Sequence, residues 1–175
     1  MRRHAFGRRA NSSTVLYVAF TVAMLAASAL CGWHALGDRD RLTFYGAALV
    51  YGLALEKLVI LAFGEYSYPA ERMLDVLGIP VAIGLGWSAV IYAGYVTAES
   101  FGLAPRFRPA FTAFYALHVD LAMDAVAIRV PYWEWTHGGF WFGVPLGNYL
   151  GWFLVAALFT AFYQVVRSRT SNPLA

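Results

Sequence analysis

The chain has one cysteine and one lysine among 175 residues, and only 13% of its residues are charged. The single cysteine, Cys31, excludes an internal disulfide and, within one chain, a thiolate metal cluster. It reads as a small buried hydrophobe in the first helix. The charge content is about half of the roughly one quarter usual in soluble domains, which excludes an ordinary soluble globular protein. A net charge of +3 is too modest for a nucleic-acid surface, so no nucleic-acid partner is expected and the arginines read as interfacial anchors. There is no low-complexity tract, no long linker and no internal repeat. The last absence argues against a carrier built from symmetry-related halves.

What is present is hydrophobic. Apolar residues make up 60% of the chain, and its mean hydropathy is +0.56. A hydrocarbon core of about 30 Å takes roughly 20 helical residues to cross, and five runs are long enough: Val15–Leu36, Leu42–Phe63, Val76–Ala98, Pro109–Val130 and Tyr149–Val166. Unsatisfied backbone groups cannot face lipid, so each run reads as a helix. The expected fold is all-α, a polytopic membrane helical bundle of about five transmembrane helices in a single domain over residues 1–175. It has a basic N-terminal tail over 1–14 and a C-terminal tail over 168–175.

The opening "MRRHAFGRR" and the run after it lack a convincing cleavage site, and read as a retained first helix. Arg2, Arg3, Arg8 and Arg9 suggest a cytoplasmic N-terminus by the positive-inside rule, as expected of an integral protein of a prokaryotic cytoplasmic membrane. The full tally is balanced. Arg72 and Arg129 fall on the same side as those four, whereas Arg39, Arg41, Arg106, Arg108, Arg167 and Arg169 fall on the other, so the orientation rests on the first helix.

Two connections are rich in glycine, proline and aromatic residues: Gly64–Pro80 and Val130–Asn148. The second reads as a broken or re-entrant segment before the last helix, with Pro145 close to where that helix begins. Irregular backbone at membrane depth is tolerated only when buried in protein or lining a cavity. Trp133, Trp135 and Trp141 form either an interfacial aromatic belt or the lining of a site, to which Gly138, Gly139, Gly143 and Gly147 would allow close backbone approach. Gly52, Gly84 and Gly86 read as helix-packing positions.

Ionisable groups at membrane depth cost about 2.5–3.5 kcal/mol each even on an insertion scale. Glu56, Lys57, Asp120 and Asp124 therefore each call for a reason. Asp120 and Asp124 stand one helical turn apart and share a face. Two carboxyl groups in a poorly solvated cavity cannot both ionise easily, so one keeps its proton and can donate it. The bland reading of the pair is a buried polar network with Arg129, Lys57 or Asn148. His118 points elsewhere on an ideal helix and reads as a packing or polar-network residue. Lys57 need not pair with Glu56, because adjacent helical residues diverge by about 100°; it reads as a snorkelling or salt-bridged lysine.

The stretch "HVDLAMDAVAIRVPYWEWTHGGFWFGVPLGNYLGW" carries an Asp, three residues, a second Asp, a W-x-W pair and G-V-P-x-x-N-Y-x-G-W. These are Asp120, Asp124, Trp133, Trp135, Gly143, Val144, Pro145, Asn148, Tyr149, Gly151 and Trp152. A second block joins Glu56 to Gly64, Tyr66, Tyr68 and Pro80. Together, over residues 45–165, they resemble the carotenoid biosynthesis membrane proteins of the carotenoid 1,2-hydratase type, which include bisanhydrobacterioruberin hydratases and γ-carotene 1′-hydroxylases. Val119 and Ala125 stand where that family usually has an aromatic residue and a proline.

The resemblance implies addition of water across the terminal double bond of an acyclic carotenoid, started by protonation of carbon, with no metal and no cofactor. It implies Asp120, Asp124 and Glu56 as catalytic residues, with either aspartate as the general acid. Tyr66, Tyr68, Trp133, Trp135, Asn148 and Trp152 would bind the substrate. A carotenoid entering laterally from membrane lipid is the expected partner; a homo-oligomer or other carotenoid enzymes are further candidates. Three rivals stay open: a cyclase using the same protonation, a non-catalytic carotenoid-binding subunit, and a prenyltransferase. The last needs two Asp-rich motifs for its metals, and the chain shows one.

Overall fold

The computed structural model describes residues 3–64, 66–68, 74–130 and 132–171, with the side chains of 3–13 and 171 left aside. The N-terminal Arg2 and Arg72 therefore lie outside the described residues, as do the side chains of Arg3, Arg8 and Arg9.

Five helices follow one another: α1 (Arg3–Ala35), α2 (Arg39–Phe63), α3 (Val81–Ser100), α4 (Arg108–Ala127) and α5 (Leu146–Ser171). All five contain stretches of 20 to 25 residues long and apolar enough to cross a membrane, as befits an integral membrane protein. Between them lie four two-residue strands: β1 (Tyr66–Ser67), β2 (Asp75–Val76), β3 (Ile79–Pro80) and β4 (Glu134–Trp135).

Local chemistry sets the helix ends. The Asp38 side chain caps α2 by accepting from the backbone N–H of Asp40 at 2.8 Å and of Arg41 at 3.3 Å, satisfying donors that the first helical turn leaves free. Gly64, at φ +60°, closes the same helix in the left-handed conformation, a position that favours glycine. Pro109 sits in the first turn of α4, where its missing N–H costs nothing.

Several boundaries differ from the sequence expectation. The third helix begins at Val81 rather than Val76, because residues 75–80 form a hairpin instead: β2 pairs antiparallel with β3. Its turn places Leu77 at φ +56° and Gly78 at φ +80°, and Asp75 Oδ1 accepts from the Gly78 N–H at 3.0 Å. The fourth helix stops at Ala127 rather than Val130. The first runs back through the expected tail to Arg3, and the fifth spans Leu146–Ser171 rather than Tyr149–Val166. Apolar character continues past a helix end wherever the following turn is itself buried, as at Val130, so hydropathy alone overruns.

α3 is the central helix, packed against α1, α2 and α4, and over half of its most apolar window is buried. It approaches α2 closely through glycine. A Cβ on Gly84 would lie 2.5 Å from Leu53 Cγ, and one on Gly52 would lie 2.6 Å from Trp87 Cβ. Small residues allow that approach where no hydrophobic effect drives helices together in lipid. Meanwhile α1 and α4 both lie against α3 and hardly touch each other.

The connections after α2 and after α4 emerge at the same end of the bundle and are joined there. β1 pairs antiparallel with β4, setting Tyr66 opposite Trp135 and Ser67 opposite Glu134. Because alternate residues face opposite sides of a strand, the two rings share one face, with centroids 5.0 Å apart. The segment between α4 and α5 is non-helical, as expected, and is anchored to α1 by the fully buried Tyr132, stacked on Tyr17.

Candidate active site

Three acidic residues come together in the half of the bundle nearest those joined loops. Asp120 and Asp124 project from the last turns of α4 at 0% and 1% exposure, and Glu56 from α2 at 8%. The sequence placed the two aspartates on one face, and the structure shows what that face meets. The amide nitrogen of Asn148, in the first turn of α5, donates to Asp120 Oδ2 at 2.9 Å and to Asp124 Oδ2 at 2.8 Å. Trp133 Nε1 donates to Asp124 Oδ1 at 3.0 Å. Of the three partners weighed from sequence, only Asn148 is used. Arg129 lies over the Phe142 ring, and Lys57 Nζ donates to the Leu77 carbonyl at 2.9 Å, reaching the end of the bundle as a snorkelling lysine does.

Glu56 has its own set of neutral donors. Its Oε2 accepts from the hydroxyls of Tyr66 and Tyr68, the latter at 3.0 Å, and its Oε1 from Trp87 Nε1 at 2.7 Å. Burial, and then the charge of Glu56, push both phenols above their ordinary range, so they remain protonated and donating.

Every residue expected to be catalytic or to bind substrate, except Asp120, lines one cavity of about 640 Å³: Glu56, Tyr66, Tyr68, Asp124, Trp133, Trp135, Asn148 and Trp152. Its remaining wall is almost wholly apolar and comes from α1, α3 and α4, including Phe20, Met24, Ala27, Ile83 and Met123. Asp120 stands behind Asp124, fully buried, and its Oδ1 has no donor among the described residues.

The tryptophans divide. Trp133 and Trp135 line the cavity, whereas Trp141 is 40% exposed and donates to the Leu121 carbonyl at 3.2 Å, a place suited to a membrane boundary. Gly139, expected to admit a ligand, admits the chain itself: a Cβ there would fall 1.8 Å from the Val144 carbonyl oxygen. His118 lines the cavity, but its Nδ1 donates within its own helix to the Phe114 carbonyl at 2.7 Å.

Trp87 was missed in the sequence. Its ring stacks on Trp152 with centroids 4.0 Å apart, is held there against Gly52, and carries the third donor to Glu56. The signal was available: an indole N–H inside a membrane helix needs an acceptor, and the neighbouring span contains one acid.

The chain matches the family model described as "Carotenoid biosynthesis protein" over residues 13–174. No curated protein and no solved structure matches it.

Proposed function

The chain belongs to the carotenoid biosynthesis protein family, and from that premise we propose that it hydrates the terminal double bond of an acyclic carotenoid by acid-initiated carbocation chemistry. The observation that carries this reading is a carboxyl group, Asp124, set in the wall of a cavity lined mostly by hydrocarbon and aromatic rings and, among the described residues, accepting hydrogen bonds from the neutral donors Trp133 and Asn148. A carboxylic acid kept neutral in such surroundings can act as a proton donor.

Asp124 is the general acid, because it faces the cavity. Asp120 is its partner behind, bridged to it by Asn148, and makes ionisation of both unfavourable. Protonation of the less substituted alkene carbon leaves a tertiary cation. The faces of Trp133, Trp135 and Tyr66 stabilise it through their quadrupoles, and the Glu56 carboxyl stands in the same cavity wall. Water adds to the cation, and the oxonium proton passes to Glu56.

The substrate enters from the bilayer between α1 and α4, which flank α3, both bound the cavity and scarcely touch each other. The N-terminus lies on the cytoplasmic side of a prokaryotic membrane, as its arginines suggest.

The test is expression in a bacterium that accumulates lycopene, followed by mass spectrometry of the pigments. A gain of one water that disappears in Asp124→Asn is the expected result. An unchanged mass with a shifted absorption would mean cyclisation, and unchanged pigment bound by both proteins would mean a binding subunit; either would overturn hydration.

A further inference from the structure

A second space adjoins the large cavity. It is a crevice of about 290 Å³ between α2 and α5. Glu56, Tyr66, Trp87, Trp135, Asn148 and Trp152 line both spaces, whereas Asp124 lines only the large one. The stacked rings of Trp87 and Trp152 thus form a partition, with the acid on one side and Glu56 reachable from both. The crevice runs from the ends of α2 and α5, at Phe63 and Gly147, inward to Leu55 and Val155.

Its polar groups stand along its wall, Glu56 towards the inner end and Trp135 and Asn148 nearer the outer one. Trp135 Nε1 is buried and has no acceptor among the described residues. Glu56 Oε1 accepts one hydrogen bond, from Trp87, and with two lone pairs has room for a second. The amide nitrogen of Asn148 is committed to the aspartates, leaving its carbonyl oxygen as an acceptor. One donor and two acceptors are what a buried water needs, since such waters hold two to four polar partners.

Resting on the hydration reading above, we propose that the α2–α5 crevice delivers and seats the attacking water while the hydrocarbon chain fills the large cavity. A polyene in that cavity displaces water from the acid's side, so the nucleophile must arrive by another path. Asp124 gives its proton to carbon and the alkene π bond opens. The crevice water forms the new C–O bond at the cation and loses a proton to Glu56. Return of that proton to Asp124 restores the site, and the sum is one water added.

Gly147 and Gly151 line the crevice alone, and a Cβ added at either meets nothing within 4 Å. Gly151→Leu and Gly147→Leu therefore fill the crevice without touching the acid or the large cavity. Membranes carrying each variant are given lycopene in D₂O, and mass spectrometry follows two signals: the water adduct, and deuterium exchanged into recovered unhydrated carotenoid by reversible protonation. The expected result is a loss of adduct of about tenfold or more, the scale of a displaced reactant, while deuterium exchange persists. Ala27→Phe, which fills the large cavity instead, lowers both signals. Adduct formed at the wild-type rate with the crevice filled overturns the proposal, as do both signals falling together in both glycine variants. Absence of both signals in the wild type overturns the hydration reading itself and takes this proposal with it.

Discussion

The two ends of the bundle treat acids in opposite ways. At one end, where α1 meets α2 and α3 meets α4, two acids have an arginine: Glu99 pairs with Arg108 at 2.7 Å and with Arg41 at 4.0 Å, and Asp40 pairs with Arg167, while Asp38 caps α2. At the other end, Glu56, Asp120 and Asp124 are more deeply buried and, among the described residues, accept from indole, phenol and amide donors. The two basic residues nearest by sequence, Lys57 and Arg129, turn away to a carbonyl and an aromatic ring. A guanidinium fixes its acid in the ionised form. Neutral donors in a poorly solvated pocket leave protonation open, and protonation is what chemistry on an alkene requires. On the hydration proposal, the same helices carry a structural end and a reactive end.

The contrast breaks most severely if the acid itself is neutralised. Asp124→Asn keeps the hydrogen-bonding shape but removes the proton, and is expected to lower product formation by about 10²-fold or more, with unhydrated precursor accumulating in the pigment extract. Asp120→Asn, one layer behind, is expected to lower it in the same assay by a smaller factor, because it removes the partner rather than the donor.

Giving the reactive end a cation of the kind found at the other end tests the principle directly. Asn148→Lys would place an ammonium beside both aspartates and lock them ionised, and is expected to lower turnover about tenfold or more. Retention of pigment binding would show that the fold survives, and full activity would refute the role of neutral donors.

Smaller effects sharpen the picture of Glu56. Trp87→Phe removes one buried hydrogen bond, worth about 0.5–1.5 kcal/mol, and is expected to lower the melting temperature in detergent and reduce product severalfold. At the structural end, Asp40→Asn is expected to cost less than about 1 kcal/mol, as exposed pairs do, and to leave the product yield unchanged. A large loss of yield there would mean that the two ends are coupled.

Much of the site was legible because two kinds of local pattern carry it. A spacing of four puts Asp120 and Asp124 on one helical face whatever else the chain does, and an acid in an apolar run has to be accommodated. For Trp87 the sequence signals only an indole that needs an acceptor; its place depends on Gly52 leaving room for its ring and on Glu56 standing opposite. Not legible was the pairing of Tyr66 with Trp135, two residues far apart in sequence whose strands are each only two residues long. Strands that short carry no periodicity to read.

The sequence by itself determined five membrane helices and the presence of acids within them, because hydropathy and helical period are local properties set by neighbouring residues. Only the tertiary structure decided that Asp124 faces the cavity and Asp120 stands behind it, that Asn148 bridges the two, and that Trp87 and Trp152 divide one space from another. Each of these depends on how a helix is rotated against its neighbours. That rotation is fixed by close approach at glycines and by hydrogen bonds between distant residues, which no stretch of chain contains alone.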